Sequence, residues 1–186
     1  MNVSEFLDSL KEAGVTPNRV TYQQCVASLC QQGDVEAANK LIEERGLLLN
    51  ESVLLSLLWG HCANNDSSAI SATLKSLEQE GLDSNSQQVL LLMANCFAEK
   101  GNVVKLRETM DSIDRESSVK LTDGDVLRLV TSASHGGLQS ELASLVARLH
   151  TTPNFDCLRE GSIEYYSLES IKLTEELTEW SNKDRV

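Results

Sequence analysis

Apolar residues recur along most of this chain at the three- and four-residue spacing of one helix face. In "VTYQQCVASLCQQG" the residues Tyr22, Cys25, Val26, Leu29 and Cys30 fall at i, i+3, i+4, i+7 and i+8, which is a helical stripe. Pro17 and Asn18 supply a turn and a start signal ahead of it. Gly33 then ends the helix and Asp34 caps the next, whose stripe is Val35, Ala38, Leu41 and Ile42. The segment from Gly14 to Glu43 therefore predicts two antiparallel helices joined by a tight turn. Such a pair leaves apolar sides uncovered, so it needs stacked neighbours.

The neighbours follow at a nearly fixed period. Gly33 aligns with Asn65 in "GHCANNDSSA", Gly101 in "CFAEKGNVV" and Gly137 in "SASHGGLQS", at spacings of 32, 36 and 36. Each break is preceded by an apolar helix ("ESVLLSLLWGHCA", "SQQVLLLMANCFAEK", "DGDVLRLVTSAS") and followed by a mixed one ("AISATLKSLEQEG", "VVKLRETMDSID", "LQSELASLVARL"). The expected fold is all-α, an α-solenoid of stacked antiparallel helix pairs. Its predicted organisation is the second helix of an incomplete repeat over 1–16, four helix pairs over 17–150, a linker over 151–161 broken by Pro153, and a C-terminal capping helix and tail over 162–186. In the last segment Ile163, Tyr166, Leu173, Leu177 and Trp180 lie near one face; it reads as a polar-faced cap or as the first half of a fifth pair.

Composition agrees with helix. Of 186 residues 41% are hydrophobic, and only two are proline and ten glycine, too few turn signals for a sheet protein. The five cysteines, Cys25, Cys30, Cys62, Cys96 and Cys157, form no C-x-x-C pair and mostly sit within apolar stripes. They read as small buried hydrophobes of a reducing compartment. His61, His135 and His150 lack metal-ligand spacing. Trp59 and Trp180 read as packing residues before base-stacking platforms. No phosphate loop, nucleophile triad, metal motif or paired-carboxylate motif is present, so the expectation is a non-enzymatic protein without cofactors. No apolar run reaches the length of a membrane span, which predicts no membrane insertion. The start, "MNVSEFLDSLKEAG", is acidic and amphipathic, the opposite of a mitochondrial presequence.

A helix pair of about 35 residues, opened by Pro-Asn and "VTY" and broken by "C-x-x-G-D", resembles the pentatricopeptide repeat. The tetratricopeptide signature Trp-x-x-Leu-Gly-x-x-Tyr is absent. The order of "PNRVTYQQCVASLCQQGDVEAANKLI", "ESVLLSLLWGHCA" and "ANCFAEKGN" is similar to that of leucine-rich members of the family in animal mitochondria, over roughly 2–149. The resemblance implies mitochondrial localisation, with cytoplasm or nucleus left open by the chain itself. It further implies a role in messenger stability, polyadenylation and translation, with single-stranded RNA and a small RNA-recognition-motif protein as partners.

In the family one base is read per repeat by side chains near the start of the first helix. The matching positions are Asn18 and Gln23 in the first repeat. Counting back from the breaks gives Asn50 and Leu55, Ser86 and Leu91, Thr122 and Leu127. Leucine cannot read a base edge by hydrogen bonding, so only the first repeat carries a complete polar pair. Leu55, Leu91 and Leu127 support a second reading, an apolar strip for a partner helix on a protein-interaction scaffold.

Charge limits the RNA reading. The chain's formal charge is -12, whereas nucleic-acid affinity comes largely from Lys and Arg neutralising phosphates. The four first-helix windows carry +1, -1, 0 and -1, so the acidity belongs to second helices, loops and tail. The predicted groove is near neutral, and RNA binding by this chain alone is expected to be weak.

Overall fold

The computed structural model describes residues 3–116 and 118–138. Among them are eight α-helices and no strand: α1 (Val3–Glu12), α2 (Arg19–Gln31), α3 (Val35–Arg45), α4 (Glu51–Ala63), α5 (Ser67–Gln79), α6 (Gln87–Glu99), α7 (Val103–Arg115) and α8 (Asp123–His135). The described residues are all-α, in keeping with a helical-repeat solenoid. The predicted second helix of the fourth pair, the linker, the capping helix, His150, Cys157 and Trp180 lie outside the described residues.

One turn chemistry recurs at the breaks. The Gly33 N–H donates to the Cys30 carbonyl at 3.0 Å, and the Asp34 N–H to that of Leu29 at 2.9 Å. The same two bonds form at Asn65 and Asp66, at Gly101 and Asn102, and at Gly137 and Leu138. This closure needs a left-handed residue after the helix. Gly33 supplies it at φ 83°, and Asn65 at φ 54° is the one non-glycine residue among those described with positive φ. Glycine meets no Cβ penalty there, and asparagine is among the side chains best tolerated. The next residue starts the following helix. Asp34 Oδ1 accepts from the Ala37 N–H at 3.0 Å, Asp66 Oδ1 from Ala69 at 3.0 Å and Asn102 Oδ1 from Lys105 at 3.1 Å. Two adjacent residues thus stop one helix and start another.

The chain divides into two compact units, the first Met1–Ser84 and the second beginning at Asn85. In the first, α2 packs on α3 and α4, α4 packs on α5, and α1 lies against α2. Val26, Leu29, Cys30, Val35, Ala38, Leu41, Ile42, Val53 and Leu57 share its core. Burying each large aliphatic side chain contributes roughly 1.5–3 kcal/mol. Gly60 sets the approach of α4: a Cβ there would lie 2.6 Å from Val35 Cγ2 and 3.2 Å from Cys30 Cβ. Asn64 Nδ2 donates to the Gly33 carbonyl at 2.9 Å, which ties one break to the next.

In the second unit α6 packs on α7 and α8, around Val89, Phe97, Met110, Ile113, Val119 and Leu129. Two side chains of α6 hold the neighbouring segment in register. Gln87 Oε1 accepts from the Lys120 N–H at 3.2 Å, and Asn95 Oδ1 accepts from Ser132 Oγ at 3.3 Å. Asn95 also donates from Nδ2 to the Leu91 carbonyl at 2.8 Å, so the buried amide is satisfied at both ends.

Cys25, Cys30, Cys62 and Cys96 are buried and form no disulfide among the described residues, which matches their reading as small hydrophobes. Burial pushes the Cys30 and Cys96 thiols up to about 12 from an ordinary 9.0.

Candidate nucleic-acid interface

The first helices place the predicted reading residues in two sequence-equivalent rows. Asn18, Asn50, Ser86 and Thr122 are the N-cap residues of α2, α4, α6 and α8. Gln23, Leu55, Leu91 and Leu127 are the fifth residues of the same helices.

Capping occupies most of the first row. Asn18 Oδ1 accepts from the Thr21 N–H at 2.9 Å, and Thr21 Oγ1 accepts from the Asn18 N–H at 3.3 Å. Asn50 Oδ1 accepts from the Val53 N–H at 3.2 Å. Thr122 Oγ1 accepts from the Asp125 N–H at 3.3 Å, while Asp125 Oδ2 accepts from the Thr122 N–H at 3.0 Å. Each cap is worth about 1 kcal/mol, which by itself accounts for a polar residue here. Ser86 differs: it makes no side-chain cap bond, and its buried Oγ has no partner among the described residues. What the caps leave for a ligand in this row is the Nδ2 donors of Asn18 and Asn50.

The second row is one amide and three leucines. Gln23, Leu55 and Leu91 are half-buried, and Leu127 is 49% exposed. Leu55 belongs to the first unit, Leu91 and Leu127 to the second.

Features near the start of α2 escaped the sequence reading. The Arg45 guanidinium lies over the Tyr22 ring, 5.0 Å from its centroid. Val20, the second residue of α2, is exposed, as are Leu48 and Leu49 in the link to α4. Only Leu47 of "GLLLN" packs on the core; the run of three leucines in a connection was the available signal.

Electrostatics distinguish the first-helix starts. No acidic residue stands in the first turn of α2, which opens with Arg19, whereas α4 opens with Glu51. Three lysines are paired on exposed surface: Lys11 with Asp8 at 3.2 Å, Lys40 with Glu44 at 3.9 Å and Lys105 with Glu108 at 2.8 Å. Burial lowers the His61 pKa, partly offset by Asp66, and the Ala69 N–H holds the Asp66 carboxyl below its usual range. Among the described residues no group of three His, Cys, Asp or Glu side chains converges on a metal position. No helix among them is long and apolar enough to cross a membrane.

No family model matches the chain. Over 53 residues, 27% of this chain, it is 40% identical to the Leucine-rich PPR motif-containing protein, mitochondrial, of Xenopus tropicalis, and equally to the protein of that name from Rattus norvegicus. Against the Mus musculus protein of the same name the identity is 44% over 39 residues, 21% of this chain. The matched stretch spans 4% of the length of the frog and rat proteins and 3% of the mouse protein. Over about a quarter of its length, then, this chain is similar to leucine-rich pentatricopeptide-motif proteins named as mitochondrial.

Proposed function

We propose that this chain is a non-enzymatic, RNA-associated helical-repeat protein of pentatricopeptide type, acting in mitochondrial messenger stability, polyadenylation and translation. The observation that carries the reading is the recurring stop-and-start turn at 33–34, 65–66 and 101–102, joined to the partial identity with relatives of that name. Residues 17–150 are read as four helix pairs. Asn18 Nδ2 and the Gln23 carboxamide offer hydrogen bonds to one base edge. The leucine positions offer only apolar contact, and little positive charge faces the phosphates. Binding by this chain alone is therefore weak and nearly indifferent to sequence. A small RNA-recognition-motif partner would supply the grip that this face lacks.

The test is titration of labelled single-stranded RNA at two salt concentrations, comparing wild type with an Asn18→Ser, Gln23→Ala double variant. Serine keeps the cap and replaces the Nδ2 amide, with its longer reach and two N–H donors, by a short hydroxyl, so folding and amide readout are separated. The expected result is weak binding with a shallow salt slope and loss of any base preference in the variant. Tight, sequence-selective binding that survives both substitutions would overturn the choice of residues.

The exposure of Leu127 favours a second reading, a scaffold for an apolar partner helix. It predicts no RNA binding, together with capture of a protein that is lost on Leu127→Glu at preserved helicity.

A further inference from the structure

We propose that Arg45, held over the ring of Tyr22, contacts a phosphate of single-stranded RNA at the first repeat. The proposal rests on the RNA reading above and adds a residue from outside the first helices. Tyr22 stands one turn into α2, next to Gln23 and four residues after Asn18. Helical side chains lean toward the helix N-terminus, so its ring lies over the turn that Asn18 begins. Tyr22 also packs on the core. Arg45, an exposed residue in the last turn of α3, is therefore brought to the same end of the first unit as Asn18.

Three observations make this cation available. Arg45 forms no ion pair with a carboxylate among the described residues, whereas Lys11, Lys40 and Lys105 do. Glu44, its sequence neighbour, is engaged by Lys40. Arg19 follows Asn18 at the first position of α2 with no acidic residue in that turn, and Arg45 lies over Tyr22, the residue before Gln23, so two arginines belong to this stretch. In a chain of net charge -12, such a pair beside the one complete reading pair is the cationic feature that RNA would meet there. The contact with the Tyr22 ring restrains the Arg45 side chain, and a guanidinium N–H fork can bind phosphate bidentately. The competing account is structural: a cation in the last turn favours the helix dipole of α3, and that role needs no RNA.

The experiment measures RNA affinity against salt for wild type, Arg45→Gln, Arg45→Lys and Tyr22→Leu, with helicity and urea midpoint recorded for each. Arg45→Gln is expected to weaken binding roughly threefold to tenfold for every RNA sequence tried, and to reduce the log–log salt slope by about 0.7, one phosphate on a single strand. Arg45→Lys should keep the slope, and Tyr22→Leu should weaken binding without changing net charge. Wild-type affinity and slope in Arg45→Gln, while Asn18→Ser, Gln23→Ala loses its base preference, would overturn this inference and leave the RNA reading standing. A loss of affinity in Arg45→Gln that only tracks lost helicity assigns the residue to α3 and overturns it too. No RNA binding by wild type removes both.

Discussion

Gly136 gives the sharpest test of how tightly one repeat is set against the next. It is the C-cap of α8, with φ -74°, so its backbone asks nothing that alanine cannot provide. What excludes a side chain is the neighbour. A Cβ at Gly136 would fall on the Ala98 carbonyl oxygen and 2.9 Å from the Gly101 nitrogen. Both groups are backbone and are joined by the Gly101 to Ala98 hydrogen bond of 3.1 Å that closes α6, so neither can rotate away. Gly136→Ala gains about 0.4–1 kcal/mol from the unfolded state. Against this stand about 1–3 kcal/mol for forced displacement in a packed interface and about 1 kcal/mol for the weakened turn bond. The expected net is a loss of about 2 kcal/mol. At a urea m-value near 2 kcal/mol/M, that lowers the midpoint of the affected transition by about 1 M, read by far-ultraviolet circular dichroism. Gly124→Ala is the control. It lies in the first turn of α8, and its Cβ would meet only Thr122 Oγ1 at 3.7 Å, so it should be neutral or stabilising. A Gly136→Ala protein as stable as Gly124→Ala would refute the reasoning, because the close approach would then have yielded at no cost.

Three further outcomes follow from the same geometry. Gly33→Ala, at φ 83° and with its Cβ 3.1 Å from Asn64 Oδ1, should cost about 1–2 kcal/mol; Gly33→Asn, the residue type that the second break uses at Asn65, should cost less in the same denaturation assay. Asn18→Ala should lose about 1 kcal/mol and Asn18→Ser little, and equal losses in thermal melts would show that the Asn18 cap contributes nothing. The Cys30 and Cys96 thiols, raised by burial to about 12 from 9.0, stay protonated in the fold while the unfolded chain ionises. Stability should therefore be full below pH 9 and fall between pH 9 and 12, and both thiols should resist alkylation at pH 8; rapid labelling of folded protein would contradict their burial.

The described helices and their breaks were largely legible in the sequence, because each break is written in residues whose backbone preference is strong. Gly33, Asn65, Gly101 and Gly137 all take the left-handed conformation, and each was found by aligning residues that stop helices. The close approaches were harder to see. Gly60 and Gly136 sit at ordinary helical φ, so nothing local marks them; their meaning lies in Cys30, Val35 and Ala98, residues more than twenty positions away. The Arg45–Tyr22 contact was invisible for the same reason, since it joins two helices through one flexible side chain.

The reading positions were legible only as an ambiguity, and the structure explains why. A residue just before a first helix is polar if it reads a base, and it is also polar if it caps. Asn18, Asn50 and Thr122 all cap, so their chemistry would be the same in a repeat that never met RNA. The fifth position carries no capping duty, so there the residue type answers to packing, Gln23, Leu55 and Leu91 being half-buried, and to whatever that helix face meets. It is an amide once and leucine three times. On the RNA reading proposed above, that row offers base-edge chemistry at Gln23 and apolar contact at Leu55, Leu91 and Leu127. An amide placed at position 91 tests this directly. Leu91→Asn should leave helix α6 intact, because the side chain is only half-buried, and should cost roughly 1 kcal/mol of stability or less. If the fifth row faces RNA, it should also add a base preference that wild type lacks, measured by titration with homopolymeric RNAs. Unchanged preference at preserved helicity would place the row away from the nucleic acid and leave Leu127 to the partner-helix reading.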